Sequence, residues 1–134
     1  MRYVRERRGQ AIVELAMLVT FLMILAAGAV QFGILYGIKV RVEHAAREGA
    51  RWGAAHALDG TNTDIKNQVI AVAGDLNPPI AAANITITTP DGRGGDKPIY
   101  VTVVYPYSPR VFLVSALLPS TINLRHTVAM RIEG

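Results

Sequence analysis

The longest pattern in the chain is an apolar run over residues 15–38, in which nothing carries a formal charge and only Thr20 and Gln31 are clearly polar. About 20 apolar residues cross a bilayer core, so this run is long enough to span a membrane with some tilt. Residues 39–58 contain no proline and keep a helical rhythm: Glu43 and Arg47 stand four apart in the favourable order, Glu48 and Arg51 three apart. Val42, Ala45, Ala46, Gly49, Ala50 and Gly53 fall between these charges and make a flat surface that a sheet or another helix can approach closely. A helix over residues 11–58 would be about 72 Å long at 1.5 Å per residue, so part of it must stand outside a membrane. Asp59-Gly60 is its expected end.

Beyond Gly60 the segments shorten. Thr63 is expected to cap a second helix over residues 64–75, with Ile65, Val69, Val72 and Leu76 on one face and Asn77-Pro78-Pro79 as its stop. Residues 84–89 alternate Ile85 and Ile87 with Asn84, Thr86 and Thr88, a half-buried strand pattern. Residues 99–105 are β-branched and aromatic, and the intervening residues 90–98 have the composition of a hairpin loop. The apolar residues 109–118 read as a short helix or an extended packing segment. Residues 122–132 alternate cleanly: Ile122, Leu124, Val128, Met130 and Ile132 face one way, with His126 on their side, and Asn123, Arg125, Thr127 and Arg131 face the other. Three antiparallel strands against a long helix would bury that apolar face and the flat helix surface together, an α+β fold. The expected division is residues 1–9, a long helix over residues 10–58 holding the membrane segment 15–38, and a small α+β domain over residues 59–134. No internal repeat or low-complexity linker interrupts this plan.

Composition agrees. The chain is 51% apolar but only 7% aromatic, a skew towards aliphatic residues that a membrane segment produces. Most of the net charge of +4 sits at the start, where Arg2, Arg5, Arg7 and Arg8 outweigh Glu6. A nucleic-acid-binding protein would keep its basic residues on the folded part, so no nucleic-acid partner is expected. The arginines before the span outnumber Lys39 and Arg41 just after it, which points the N-terminus to the cytoplasm and the domain beyond Lys39 to the other side. A secretory signal peptide has a shorter apolar core, about 7–15 residues, followed by a small-residue cut site. None is obvious at the far end of this run, so it is expected to stay as an anchor. Cysteine is absent, which excludes disulfides and thiolate metal sites.

Two features inside the apolar helix point to chemistry. Glu14 is the lone carboxylate that opens the run. A charge at the bilayer centre costs about 2.5–3.5 kcal/mol; near the end the cost is smaller, and an interfacial Glu marking the start of the span is one reading. The other joins it to the basic block ending in Arg7-Arg8 and to Gly9: a basic leader, a glycine cut site between Gly9 and Gln10, and a Glu five residues beyond. Ala29, Gly33 and Gly37 recur every four residues on one face, the spacing of close helix–helix contact, although glycine is also common in membrane helices without that role.

The motif Arg8-Gly9-Gln10-Ala11-Ile12-Val13-Glu14-Leu15-Ala16, with Ala29-Val30-Gln31-Phe32-Gly33 and Ala45-Ala46-Arg47-Glu48-Gly49-Ala50-Arg51, resembles the TadE-like pseudopilins of the tight-adherence (Flp, type IVc) pilus system. The resemblance covers residues 5 to 55; the rest fits by architecture. Thr20 stands where the family often has proline, which implies a straighter helix, and Gln31 where it often has glutamate. The Glu14-Leu15 pair and the larger size separate the chain from the short major pilins, which resemble one another in a Glu-Tyr pair. The resemblance implies a structural part rather than an enzyme, with no cofactor. It implies a prepilin peptidase as partner, cutting after Gly9, and a mature chain held in membrane lipid. That chain would lie in the cytoplasmic membrane, single-pass with its domain extracytoplasmic, until it joins other pilin or pseudopilin subunits and the assembly machinery in a homo- or hetero-oligomer. Two other readings remain at this stage: the major subunit of a type IV-like filament, and an uncleaved single-pass protein with an extracytoplasmic binding domain.

Catalytic chemistry finds little support. His44, His56 and His126 form no HExxH or other metal spacing. Ser108, Ser115 and Ser120 lack a Gly-rich nucleophile elbow. Asp91-Gly92 and Asp96 read as turn residues rather than a Ca²⁺ loop, and Gly92, Gly94 and Gly95 precede a strand, so they make no phosphate cradle.

Overall fold

The computed structural model describes residues 2–109 and 120–132. Its elements are α1 (Arg2–Ala55), α2 (Asn62–Val72), a 3₁₀ turn (Ala82–Asn84), β1 (Ile85–Thr88), β2 (Pro98–Tyr107) and β3 (Ile122–Arg131). The strands form one antiparallel sheet in the order β1-β2-β3, so the architecture is the α+β arrangement expected. The chain forms two compact units, which among the described residues are 2–34 with Pro109 and Ser120, and 35–108 with 121–132. The apolar segment expected at residues 109–118 lies, after Pro109, outside the described residues.

Helix α1 is 54 residues long and starts at Arg2, well before the expected Gln10. The basic block is rich in arginine, a good helix former, and nothing in it breaks the rod. Thr20, at the position expected to straighten the helix, donates its hydroxyl to the Ala16 carbonyl at 2.8 Å. That bond removes an exposed donor from an apolar stretch. The helix ends at Ala55, three residues before the expected Leu58. A stacked pair marks the spot: the Trp52 and His56 rings lie 4.3 Å apart, 12° from parallel. Gly60 follows, and a β-carbon there would stand 2.7 Å from the His56 carbonyl and 2.9 Å from the Trp52 ring. Only glycine lets the chain turn so tightly against that ring.

The cap of α2 corrects the sequence expectation. Thr61, not Thr63, is the N-cap, and the helix begins two residues earlier than expected. The Thr61 hydroxyl accepts from the Asp64 amide at 3.2 Å, while the Asp64 carboxylate accepts from the Thr61 amide at 2.9 Å and its hydroxyl at 2.6 Å. This is a capping box in which Asp does the work usual for Glu. Thr63 has no such partner three residues on, since that position is Lys66. The helix also closes sooner, at Val72, with the Ala73 amide bonded to Val69, so Asn77-Pro78-Pro79 lies beyond a turn rather than at the stop. The Asn77–Pro78 bond is cis, and the Tyr105 hydroxyl donates to the Pro78 carbonyl at 3.0 Å.

The second unit holds the core. Ala45, Ala46 and Ala50 of α1, Ile65 and Val69 of α2, and Ile99, Val101 and Val103 of β2 are all fully buried. Gly49 faces Val69, and Gly53 faces Ile65 and Ile99, so the flat surface read from the sequence meets both α2 and the sheet. In β3 the alternation holds over the whole strand, with Leu124, His126, Val128 and Met130 half-buried and their neighbours exposed. Thr102 and Thr127 pair across β2 and β3, their hydroxyls 2.9 Å apart. From the β1–β2 loop, Arg93 donates to the Gly60 carbonyl and to Asn62 Oδ1, tying that loop to the start of α2.

The candidate membrane and assembly helix

Ile12, Val13, Leu15, Met17, Leu18, Phe21, Leu22, Met23 and Leu25 are all exposed. The span Gly9–Ala55 contains a window of mean hydropathy 2.3, none of it buried. It is the one helix among the described residues long and apolar enough to cross a membrane. In water such a surface would be strongly unfavourable, at about 25 cal/mol per Å² of exposed apolar area. Lipid, or other helices, must cover it.

The expected site residues lie on this helix. Gly9, Gln10 and Glu14 are exposed on consecutive turns and, with Val13 and Met17, line one shallow concavity. The carboxylate of Glu14 therefore shares a face with the backbone around the expected cut. Ala29, Gly33 and Gly37 are exposed too, and β-carbons added at Gly33 and Gly37 would meet nothing within 4 Å. Gln31 is buried, the one polar side chain so placed among the described residues. A neutral amide suits burial better than the glutamate the family often carries there, because a buried carboxylate must be paired or protonated.

The motif at residues 45–51 has a different task. Its small residues Ala45, Ala46, Gly49 and Ala50 are buried, while Arg47 is exposed and Glu48 half-buried. Glu43 draws three cationic or potentially cationic groups: Lys39 at 3.9 Å, Arg47 at 3.4 Å and His126 Nδ1, from β3, at 3.7 Å. Arg51 reaches Glu48 at 2.8 Å, and Arg41 reaches Asp75, just past α2, at 2.8 Å. Exposed pairs of this kind contribute about 0–1 kcal/mol each, so the motif acts chiefly through packing. Helical spacing revealed Glu43–Arg47 and Glu48–Arg51 within α1, but the sequence reading linked neither Lys39 to Glu43, nor Glu43 to His126, nor Arg41 to Asp75. His44 and His56 lie on the helix surface, and no group of three or more His, Asp or Glu among the described residues is placed to hold a metal.

Residues 9–51 match the family model of TadE-like protein. The matched stretch is the exposed apolar helix, together with the part of α1 that packs on the domain; α2 and the sheet lie beyond it. The family resemblance read from the sequence is borne out over these residues. No curated protein and no solved structure matches the chain.

Proposed function

We propose, from a chain whose residues 9–51 are TadE-like, that it is a pseudopilin-type structural subunit of a Tad/Flp-type pilus. It is anchored by α1 in the cytoplasmic membrane, cut after Gly9, and passed into a filament or priming complex that serves surface adhesion. The observation that carries this reading is the coincidence of the TadE-like match with a helix whose most apolar window is exposed throughout. An anchor alone needs no Glu14 and no glycine before it. A subunit stored in lipid and later packed against its own kind has use for both.

The physics of assembly follows from the new terminus. Hydrolysis after Gly9 leaves Gln10 with a free α-amine, one helical turn from Glu14. Inside an apolar bundle the charge of each is costly alone, and opposite charges attract more strongly than in water. The Glu14 carboxylate of one subunit neutralises the Gln10 amine of its neighbour, and the pairing fixes the register between them. The small face at Ala29, Gly33 and Gly37 lets neighbouring helices approach closely.

The deciding experiment is the intact mass of the membrane-extracted protein with and without a prepilin peptidase. The peptidase should convert the full-length mass to that of a chain starting at Gln10. A full-length mass under both conditions would reject the processing step and leave only an anchored membrane protein.

A further inference from the structure

The glycines from Gly9 to Gly60 fall into two groups by their surroundings. At Gly49, Gly53 and Gly60 an added β-carbon would run into Val69, into Ile65 and Ile99, or into Trp52 and the His56 carbonyl, so the fold itself demands glycine. At Gly9 nothing lies within 4 Å of that position. The residue sits inside the continuous helix α1, with no positive φ to excuse it. Neither packing nor backbone conformation requires glycine there, and alanine would make a more stable helix. Gly28, Gly33 and Gly37 are equally open but lie within the apolar span, where glycine is common.

The Gly9–Gln10 bond is thereby held in a conformation poorly suited to cleavage. In an α-helix the Gly9 carbonyl accepts from the amide four residues on, and the backbone is wound into the rod. Proteolysis of ordered segments passes through a transiently opened state and follows its population when opening is fast. We propose that Gly9 is a conformational hinge: it lets α1 open locally at the Gly9–Gln10 bond, and the opened fraction sets the rate of leader removal. This rests on the reading that the leader is cut there. In the reaction water breaks the Gly9–Gln10 amide, its hydroxyl going to the Gly9 carbonyl carbon and its proton to the Gln10 nitrogen. Gly9 is thus a positioning residue whose effect lies in the substrate's conformation.

Two readouts test this. Hydrogen exchange on the uncut, full-length protein in detergent micelles, without peptidase, should show the amides of residues 10–13 exchanging about fivefold faster in wild type than in Gly9→Ala, the gap set by helix propensity. With a prepilin peptidase added, Gly9→Ala should be cut about fivefold more slowly, and Gly9→Ala/Gln10→Gly, which moves the weak point by one residue, should regain the wild-type rate. Equal exchange in wild type and Gly9→Ala overturns the hinge. So does a double variant cut as slowly as Gly9→Ala, since the glycine would then be read by the peptidase's own pocket. A wild-type protein that is never cut rejects the processing reading instead, and the exchange comparison still decides whether Gly9 opens the helix.

Discussion

Gly53 of α1 stands against Ile99 of β2 so closely that a β-carbon on Gly53 would lie 2.9 Å from the Ile99 δ1 methyl. The helix and the sheet touch through the absence of a side chain. Ile65 closes the same gap from α2, at 2.8 Å. Three elements therefore meet at one glycine, and the last turns of α1 are seated on α2 and the sheet.

Gly53→Ala and Gly49→Ala should both destabilise the domain, in unequal degree. At Gly53 the obstructing atoms are the ends of isoleucine side chains, which can rotate away. At Gly49 the obstacle is a γ-methyl of Val69, a β-branched residue in a helix with one strongly preferred rotamer. Overpacking costs about 1–3 kcal/mol, and Gly49→Ala should lie at the upper end of that range. Denaturant unfolding in detergent, followed by Trp52 fluorescence, measures both. A Gly49→Ala protein as stable as wild type would show that α2 is free to move away from α1.

Acid should loosen α2 through its cap. The Asp64 carboxyl is held below its ordinary value of 3.8, first by the Thr61 hydroxyl and then by the Thr61 amide. A carboxylate favoured by folding stabilises at pH values above its unfolded pKa, and that contribution is lost as pH falls through the lower, folded one. The wild-type domain should therefore lose stability below about pH 4, whereas Asp64→Asn should lose less over the same interval. Thr61→Ala should cost about 0.5–2 kcal/mol at neutral pH, as cap removals do. Thermal melts of the three proteins from pH 7 to pH 3 test the sign. Identical pH profiles would mean that Asp64 contributes nothing to the cap in solution.

The elements most legible in the sequence were those with a period. The alternation of Ile122, Leu124, Val128 and Met130 identified β3 and placed His126 on the inner face, and the small positions of α1 marked its buried side. What periodicity cannot supply is the identity of the neighbour. Gly49 and Gly53 read as flat, but nothing in their spacing named Val69, Ile65 or Ile99. Thr61 and Thr63 both precede the helical pattern, and what distinguishes Thr61 is the Asp three positions on. The expected cut after Gly9 marks the start of the long helix in the sequence, whereas α1 begins at Arg2, since arginine ends a membrane span without ending a helix. The proposed site at Gly9, Gln10 and Glu14 rests on a signal that is local in sequence.

The domain beyond Lys39 should be reached from outside the cytoplasmic membrane. The arginine excess before the span sets this direction. Protease added to spheroplasts should digest the domain, most readily in the exposed loop containing Asp91 and Asp96. Digestion in inverted vesicles alone would reverse the topology and leave the domain unable to enter a surface filament.

Glu14 carries the sharpest prediction. Alanine removes the charge while keeping helix propensity, so membrane insertion should persist or improve. Leader removal can persist as well, because Gly9 is unchanged. Incorporation should nevertheless fail, since the Gln10 amine of the neighbouring subunit would be left charged and unpaired in an apolar bundle. Glu14→Gln keeps the shape and the hydrogen-bonding capacity but not the charge, so it should also impair incorporation if ion pairing is the cause. The measured quantity is the amount of each variant in sheared filaments or cross-linked complexes, set against its amount in the membrane. Loss in Glu14→Ala with full incorporation of Glu14→Gln would assign the role to hydrogen bonding. Wild-type incorporation of both would reduce Glu14 to a residue at the membrane edge.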